Sequence, residues 1–235
     1  MEYFDKEFCL DVSGPMACFT RPELKVERVS YDVITPSAVR AIFDSIFWKP
    51  AIRWQPTKIE VLSPIKWTSI RRNEVGAVAS PRTDCLYIEE KRQQRNALLL
   101  RDVHYRIYAK LVFIPKRDRI YERSKNPGID AEENDMLHKD ENPGKYNAMF
   151  ERRASKGQCF NQPYFGTREF SVDFQLVTDA TKCEEKPINE SRDLGIMLYD
   201  MDYKSETDNQ PMFFRAKMEN GVIIIPPKDS EEILR

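Results

Sequence analysis

The chain has 235 residues, of which 41% are hydrophobic and 32% charged, with 37 Lys and Arg against 38 Asp and Glu. That hydrophobic share supplies a core for one large domain, or a core domain with a small appendage, and excludes disorder over the whole length. The near-neutral balance excludes a strong global positive field, so any nucleic-acid binding must rest on local clusters of positive charge.

Cys9, Cys18, Cys85, Cys159 and Cys183 are scattered, odd in number and without a CxxC pair, and the two histidines, His104 and His138, lie near no cysteine cluster. This fits a reducing compartment and predicts neither disulfide nor metal site. No apolar run approaches the roughly 18–20 residues that span a bilayer, and the opening residues lack a signal-peptide pattern. We expect a cytoplasmic protein with no membrane contact. Walker, dinucleotide-binding and Gly-x-Ser-x-Gly motifs are absent, so no cofactor is expected.

In chain order, Phe4 to Val12 reads as a strand that Ser13-Gly14-Pro15 breaks. A basic loop, Thr20 to Arg28, follows. Thr35 caps and Pro36 opens a helix whose apolar residues Val39, Ile42, Phe43 and Ile46 recur at helical spacing, running to about Trp48. Residues 52–67 read as one long strand, Arg71 to Asp84 as a loop, and Leu98 to Pro115 as the partner strand. The span 115–143 is charged and reads as an insertion. A second helix is predicted over 144–157, and a strand over 164–177. The order β, α, β, β, α, β is the α+β, ferredoxin-like (RNA-recognition-type) pattern, placed at residues 1–178. After a polar linker over 178–192, two short strands, an Asn220-Gly221 turn and the run Val222–Ile225 read as a small C-terminal antiparallel sheet over 193–227, followed by a loose end.

Three basic clusters are candidates for phosphate contacts: Arg21, Lys25 and Arg28; Arg71 and Arg72; and Lys145, Arg152, Arg153 and Lys156 with Arg168 beyond them. With Tyr31, Phe160 and Tyr164 as stacking rings they would track an RNA strand. From the spacing alone, ordinary solvated charges interleaved with Glu23, Glu27 and Glu151 are the favoured reading. Trp48, Trp54 and Trp67 read as core or interface rings, and His104 as a structural histidine.

The stretch Gly14 to Ala38, Trp48-Lys-Pro-Ala-Ile-Arg-Trp54, Ile70-Arg-Arg-Asn-Glu-Val75, Arg92-Gln-Gln-Arg95, Gly144-Lys145, Phe150-Glu-Arg-Arg153 and Phe165-Gly-Thr-Arg-Glu-Phe170 resemble the type I-C (Dvulg subtype) member of the fifth CRISPR-associated protein family, of the RAMP superfamily. The resemblance implies a ferredoxin-like domain with a C-terminal β-sheet. It also implies a metal-independent endoribonuclease that binds the repeat hairpin of the precursor CRISPR RNA (pre-crRNA), cuts it by 2′-OH attack and keeps the crRNA 5′ handle. The implied protein partners are the backbone and large subunits of the type I-C surveillance complex (Cascade), with target DNA met only through that complex.

For the site, Lys145 falls on the lysine of the family's Gly-Lys-His motif. Tyr146 stands where the family has His, and Phe47 where it has Tyr. The candidate catalytic residues are therefore Lys145 and Tyr146, and the candidate RNA-binding residues Arg21, Lys25, Arg28, Arg71, Arg72 and Arg168. A handle-binding scaffold that does not cut is the competing reading. A DNA-binding regulator lacks the basic second helix of a helix-turn-helix.

Overall fold

The computed structural model describes residues 5–24, 26–81, 85–115, 141–203 and 209–235. Apart from its ends, the insertion expected at 115–143 lies outside them, as do Lys25 and His138. The strands are β1 (Lys6–Ala17), β2 (Ile52–Val61), β3 (Lys66–Val75), β4 (Arg92–Phe113), β5 (Asp173–Val177), β6 (Arg192–Asp202), β7 (Gln210–Met218), β8 (Val222–Ile224) and β9 (Ile233–Leu234). Two α-helices are described, α1 (Pro36–Ile46) and α2 (Pro143–Ala154).

The main sheet has the order β5-β1-β4-β2-β8 with antiparallel ladders throughout. Counting β4 as the third core strand and β5 as the fourth, this is the 4-1-3-2 arrangement of a ferredoxin-like α+β fold, with α1 and α2 as its two crossovers. Alternation decides what each face buries. Phe8, Leu10 and Val12 of β1 are buried in a core with Phe43 of α1 and Phe150 of α2. The ring of Trp54 lies 4.5 Å from Phe150 and 4.8 Å from Phe43, and Phe8 lies 4.7 Å from Phe150.

The helix signals act as read. Thr35 Oγ1 accepts from the Ala38 N–H, and Pro36 occupies the first turn, where a missing N–H costs nothing. α1 ends at Ile46 rather than Trp48, because Phe47 is extended and its carbonyl accepts from Trp54 Nε1 at 2.8 Å. Asn142 Oδ1 caps α2 by accepting from the Lys145 N–H at 2.8 Å.

Four strand expectations are corrected. β1 runs through Gly14-Pro15: Pro15 has no N–H, Asp102 on β4 takes φ 52°, and the ladder passes from Gly14–Val103 to Met16–Arg101. The long strand over 52–67 is two strands separated around Pro64, and Arg71 and Arg72 lie within β3 rather than in a loop. β3 and the first half of β4 pair as a two-stranded arm, from Lys66–Arg101 to Val75–Arg92, about 30 Å long. The strand over 164–177 begins only at Asp173, because residues 164–171 form a turn closed by a Tyr164–Ser171 bridge.

At the C-terminus, β6-β7-β9 form a separate three-stranded sheet, so Ile233–Leu234 are paired on β7 rather than loose. The Asn220-Gly221 turn forms with both φ positive, but β8 beyond it joins β2, with Lys58 opposite Ile224, and extends the main sheet. Arg40 of α1 grips Asp200 of β6 with Nε at 2.6 Å and Nη2 at 3.0 Å while Nη1 donates to Asp44 at 2.7 Å, tying the small sheet to the helix layer.

The sheet face away from the helices is polar and covered. Arg106 Nη1 donates to Glu60 at 2.8 Å and Nη2 to the Glu185 carbonyl at 3.1 Å, and Ile188 N–H donates to the Val61 carbonyl. His104 sits between two carboxylates, Nε2 at 2.7 Å from Asp11 and Nδ1 at 3.2 Å from Glu185. These contacts strap the 178–191 linker to the sheet and give His104 the structural role read for it.

Candidate active site and nucleic-acid interface

Lys145 and Tyr146 open α2 beside the end of β4, and the helix turns them apart. Lys145 is exposed, whereas Tyr146 is 5% exposed. The Tyr146 ring lies 6.1 Å from Phe113 at 27° and 6.3 Å from Phe47. Arg153, one of the basic residues of the third cluster, brings its guanidinium 5.2 Å from the Phe47 ring and donates to the Ile46 carbonyl at 3.4 Å. Trp48, next in sequence to the buried Phe47, is 48% exposed. The start of α2 thus combines an exposed cation, outside any ion pair among the described residues, with the positive end of a helix dipole, which together favour an anion such as a phosphate. Phe47 carries no group able to move a proton, and Lys145 and Tyr146 are the candidates for that role at this end of the helix among the described residues.

The other candidate residues gather at the far end of the sheet. The Arg28 carbonyl accepts from the Leu98 N–H, which fastens the 18–30 loop to the arm. Arg28 also pairs with Glu74 at 3.2 Å, and Arg95 approaches the same carboxylate at 3.7 Å. Arg72 pairs with Glu169 and lies 5.6 Å from the Phe170 ring, joining the arm to the 164–171 turn. That turn is docked in its own right, with Cys18 N–H donating to the Phe165 carbonyl at 3.1 Å. Gly166, at φ 80°, passes so close that a Cβ would lie 1.9 Å from the Cys18 carbonyl oxygen, so only glycine fits.

Burial and pairing separate these arginines. Arg21 is spent internally: it reaches Asp32 at 3.3 Å and Glu23 at 3.9 Å, donates to the Ser30 carbonyl, and stands 4.5 Å from the Tyr31 ring. Arg71 is exposed on β3 and, among the described residues, donates to Asn96 Oδ1 at 3.3 Å and makes no ion pair. Arg168 is exposed and makes no ion pair among the described residues. Arg71 and Arg168 are therefore the cations of this set most available to a ligand.

The structure brings Arg21, Arg28, Arg72 and Arg168 into one neighbourhood and leaves Lys145 and Tyr146 out of it. The three basic clusters were read together as candidates to track one RNA strand. Instead Leu98 and Phe113 mark the two ends, with on the order of 50 Å of strand contour between them. The acidic partners Glu74 and Glu169 lie far from their arginines in sequence, and nothing local signals them.

A family model, described as CRISPR-associated protein (Cas_Cas5) and of the Cas5d type, matches residues 8–226. The chain belongs to the Cas5d family. Among curated relatives, a CRISPR pre-crRNA endoribonuclease Cas5d of Mannheimia succiniciproducens is 47% identical, with 96% of this chain and 97% of that protein covered. A second protein of that name, from Thermus thermophilus, is 34% identical over 95% of this chain and 93% of its own length. A crystal structure of a CRISPR-associated protein superposes with a TM-score of 0.67 at 24% identity over the full length of both chains, a likeness of fold. The expected family and fold are thus both found. Among the described residues, no helix is long and apolar enough to cross a membrane.

Proposed function

We propose that this Cas5d-family chain is a CRISPR pre-crRNA endoribonuclease, as the two curated relatives are named. In this reading it cuts the repeat hairpin without a metal, retains the 5′ handle of the crRNA and joins the backbone and large subunits of a type I-C Cascade in the cytoplasm. The ribose 2′-oxygen attacks the adjacent phosphorus as its proton passes to a base. The 5′-oxygen leaves with a proton from an acid, giving a 2′,3′-cyclic phosphate and a 5′-hydroxyl. Lys145 supports the negative phosphorane, and its exposed position at the capped start of α2 is the observation that carries the reading. The basic neighbourhood of Arg28, Arg71, Arg72 and Arg168 holds the RNA by its phosphates, with Arg21 fixing the loop that presents it.

The competing reading, a handle-binding scaffold that does not cut, has an observation in its favour. Tyr146 packs inward between Phe47 and Phe113, and Phe47 offers no proton. The test is product chemistry. A nuclease releases a cyclic-phosphate end from repeat RNA in EDTA, and Lys145→Ala stops cutting while sparing binding. A scaffold binds the handle with salt-dependent affinity and yields no product.

A further inference from the structure

A cavity of about 570 Å3 opens between the α1–β2 connection and β6, within the size range of small-ligand sites. Five rings line it: Trp48, Trp54, Phe113, Tyr199 and Tyr203. Trp54 and Tyr199 are buried and belong to the core, whereas Trp48 at 48% and Tyr203 at 45% keep open faces. Most of its charges are cancelled within the wall. Arg40 is shared between Asp44 and Asp200, and Lys228 lies 3.7 Å from Asp202. Arg53, on the same wall and exposed, makes no ion pair among the described residues, and neither does Lys49 beside Trp48. An aromatic slot whose lining charges balance once Arg53 is counted, with Arg53 and Lys49 outside any ion pair among the described residues, is complementary to a flat, uncharged ring attached to a phosphate.

The cavity shares a wall with the packing around the candidate active site. Phe113 lines it and also lies against Tyr146, and Trp48 follows Phe47, whose ring faces Tyr146 from the other side. We propose that this cavity receives one unpaired nucleobase of the RNA, stacked on Trp48 with its phosphate on Arg53, at the nucleotide adjoining the scissile phosphate. This rests on the reading of Lys145 as the cleavage site. The unstacked base holds the backbone at that nucleotide and sets the phosphate beside Lys145, so the cavity contributes to where the strand is cut as well as to affinity.

The test uses the full chain and repeat RNA made uncleavable by a 2′-deoxy sugar at the cut, with an abasic nucleotide placed in turn at each unpaired position. Wild-type protein should lose about 5- to 150-fold in affinity at one position next to the cut, the range of one base–aromatic stack. Trp48→Ala should show a comparable loss on intact RNA and no further loss with that abasic RNA, whereas Trp48→Phe should retain the coupling. Arg53→Ala should lower the salt slope of binding by about 1. Equal affinity of Trp48→Ala and wild type for intact RNA, or losses that simply add at every position, would overturn the proposal. So would a Trp48→Ala variant that binds RNA normally but fails to assemble with the other complex subunits, which would assign the cavity to a protein. Because this readout is binding, it stays separate from the cleavage site. If Lys145→Ala still cuts intact RNA, the active-site reading fails while coupling to Trp48 remains measurable. If Lys145→Ala is dead and no position couples to Trp48, the cavity proposal alone fails.

Discussion

The Tyr146 ring lies 6.1 Å from the Phe113 ring at 27°, while Lys145, one residue earlier, faces solvent. Adjacent residues that the sequence offers as a catalytic pair therefore differ in what their removal does to the fold. Lys145→Ala should leave stability within about 0.5 kcal/mol of wild type. Tyr146→Ala empties a ring-sized space and should cost about 3–5 kcal/mol, whereas Tyr146→Phe preserves the packing. Urea unfolding of the three variants checks this. A Tyr146→Phe variant that is stable yet unable to cut would assign the lost function to the hydroxyl.

Arg21 and Arg168 should separate in the same way. Arg168→Ala removes an exposed cation that makes no ion pair among the described residues, and should weaken RNA binding nearly uniformly across sequences, lowering the salt slope by about 1 with no change in melting temperature. Arg21→Ala leaves Asp32 with a lost partner and uncovers the Tyr31 ring, and should cost about 1–2 kcal/mol of stability. Salt-dependent binding beside thermal melts reads both effects.

Gly166→Ala should be among the most damaging small substitutions on the surface. Its φ of 80° and the 1.9 Å approach to the Cys18 carbonyl cannot both survive a methyl group. The 165–170 turn must then leave β1, taking Glu169 and Arg168 with it. We expect a loss of about 2–4 kcal/mol together with weakened RNA binding.

His104 makes stability depend on pH in a defined direction. The hydrogen bond to Asp11 raises the imidazole above its ordinary 6.5 against an opposing contribution from burial, with Glu185 raising it further and Arg106 lowering it. A folded-state value above the unfolded one means the stabilisation is fully present below pH 6.5 and is lost as pH rises through the folded value. The denaturant midpoint of wild type should therefore fall relative to that of His104→Gln as pH rises from 6 upward. Parallel pH profiles for the two proteins would contradict the assignment.

Local chemistry made part of this fold legible. Thr35-Pro36 started α1, period-2 alternation marked β1 and β4, and Asn220-Gly221 made its turn. Long-range pairing was not legible. Pro15 read as a break, yet it sits in β1 opposite Asp102 where the ladder is interrupted. Arg71 and Arg72 read as loop residues because their strand lacks a clear apolar alternation and is defined by pairing with β4. At the site, the family resemblance pointed to Lys145, and Tyr146 came with it as the residue at the motif's histidine position. It took the fold to show that Tyr146 points inward, that Arg153 stands over Phe47, and that Arg21 is committed to Asp32.

The measurement that bears most directly on the account is cleavage of an end-labelled repeat hairpin by the purified protein in EDTA, with Lys145→Ala alongside. The account predicts a 5′-hydroxyl product and a 2′,3′-cyclic phosphate from wild type, and a loss of at least about 100-fold in rate with unchanged affinity for the variant. Tight binding by both proteins with no product from either would contradict it and establish the chain as a handle-binding scaffold.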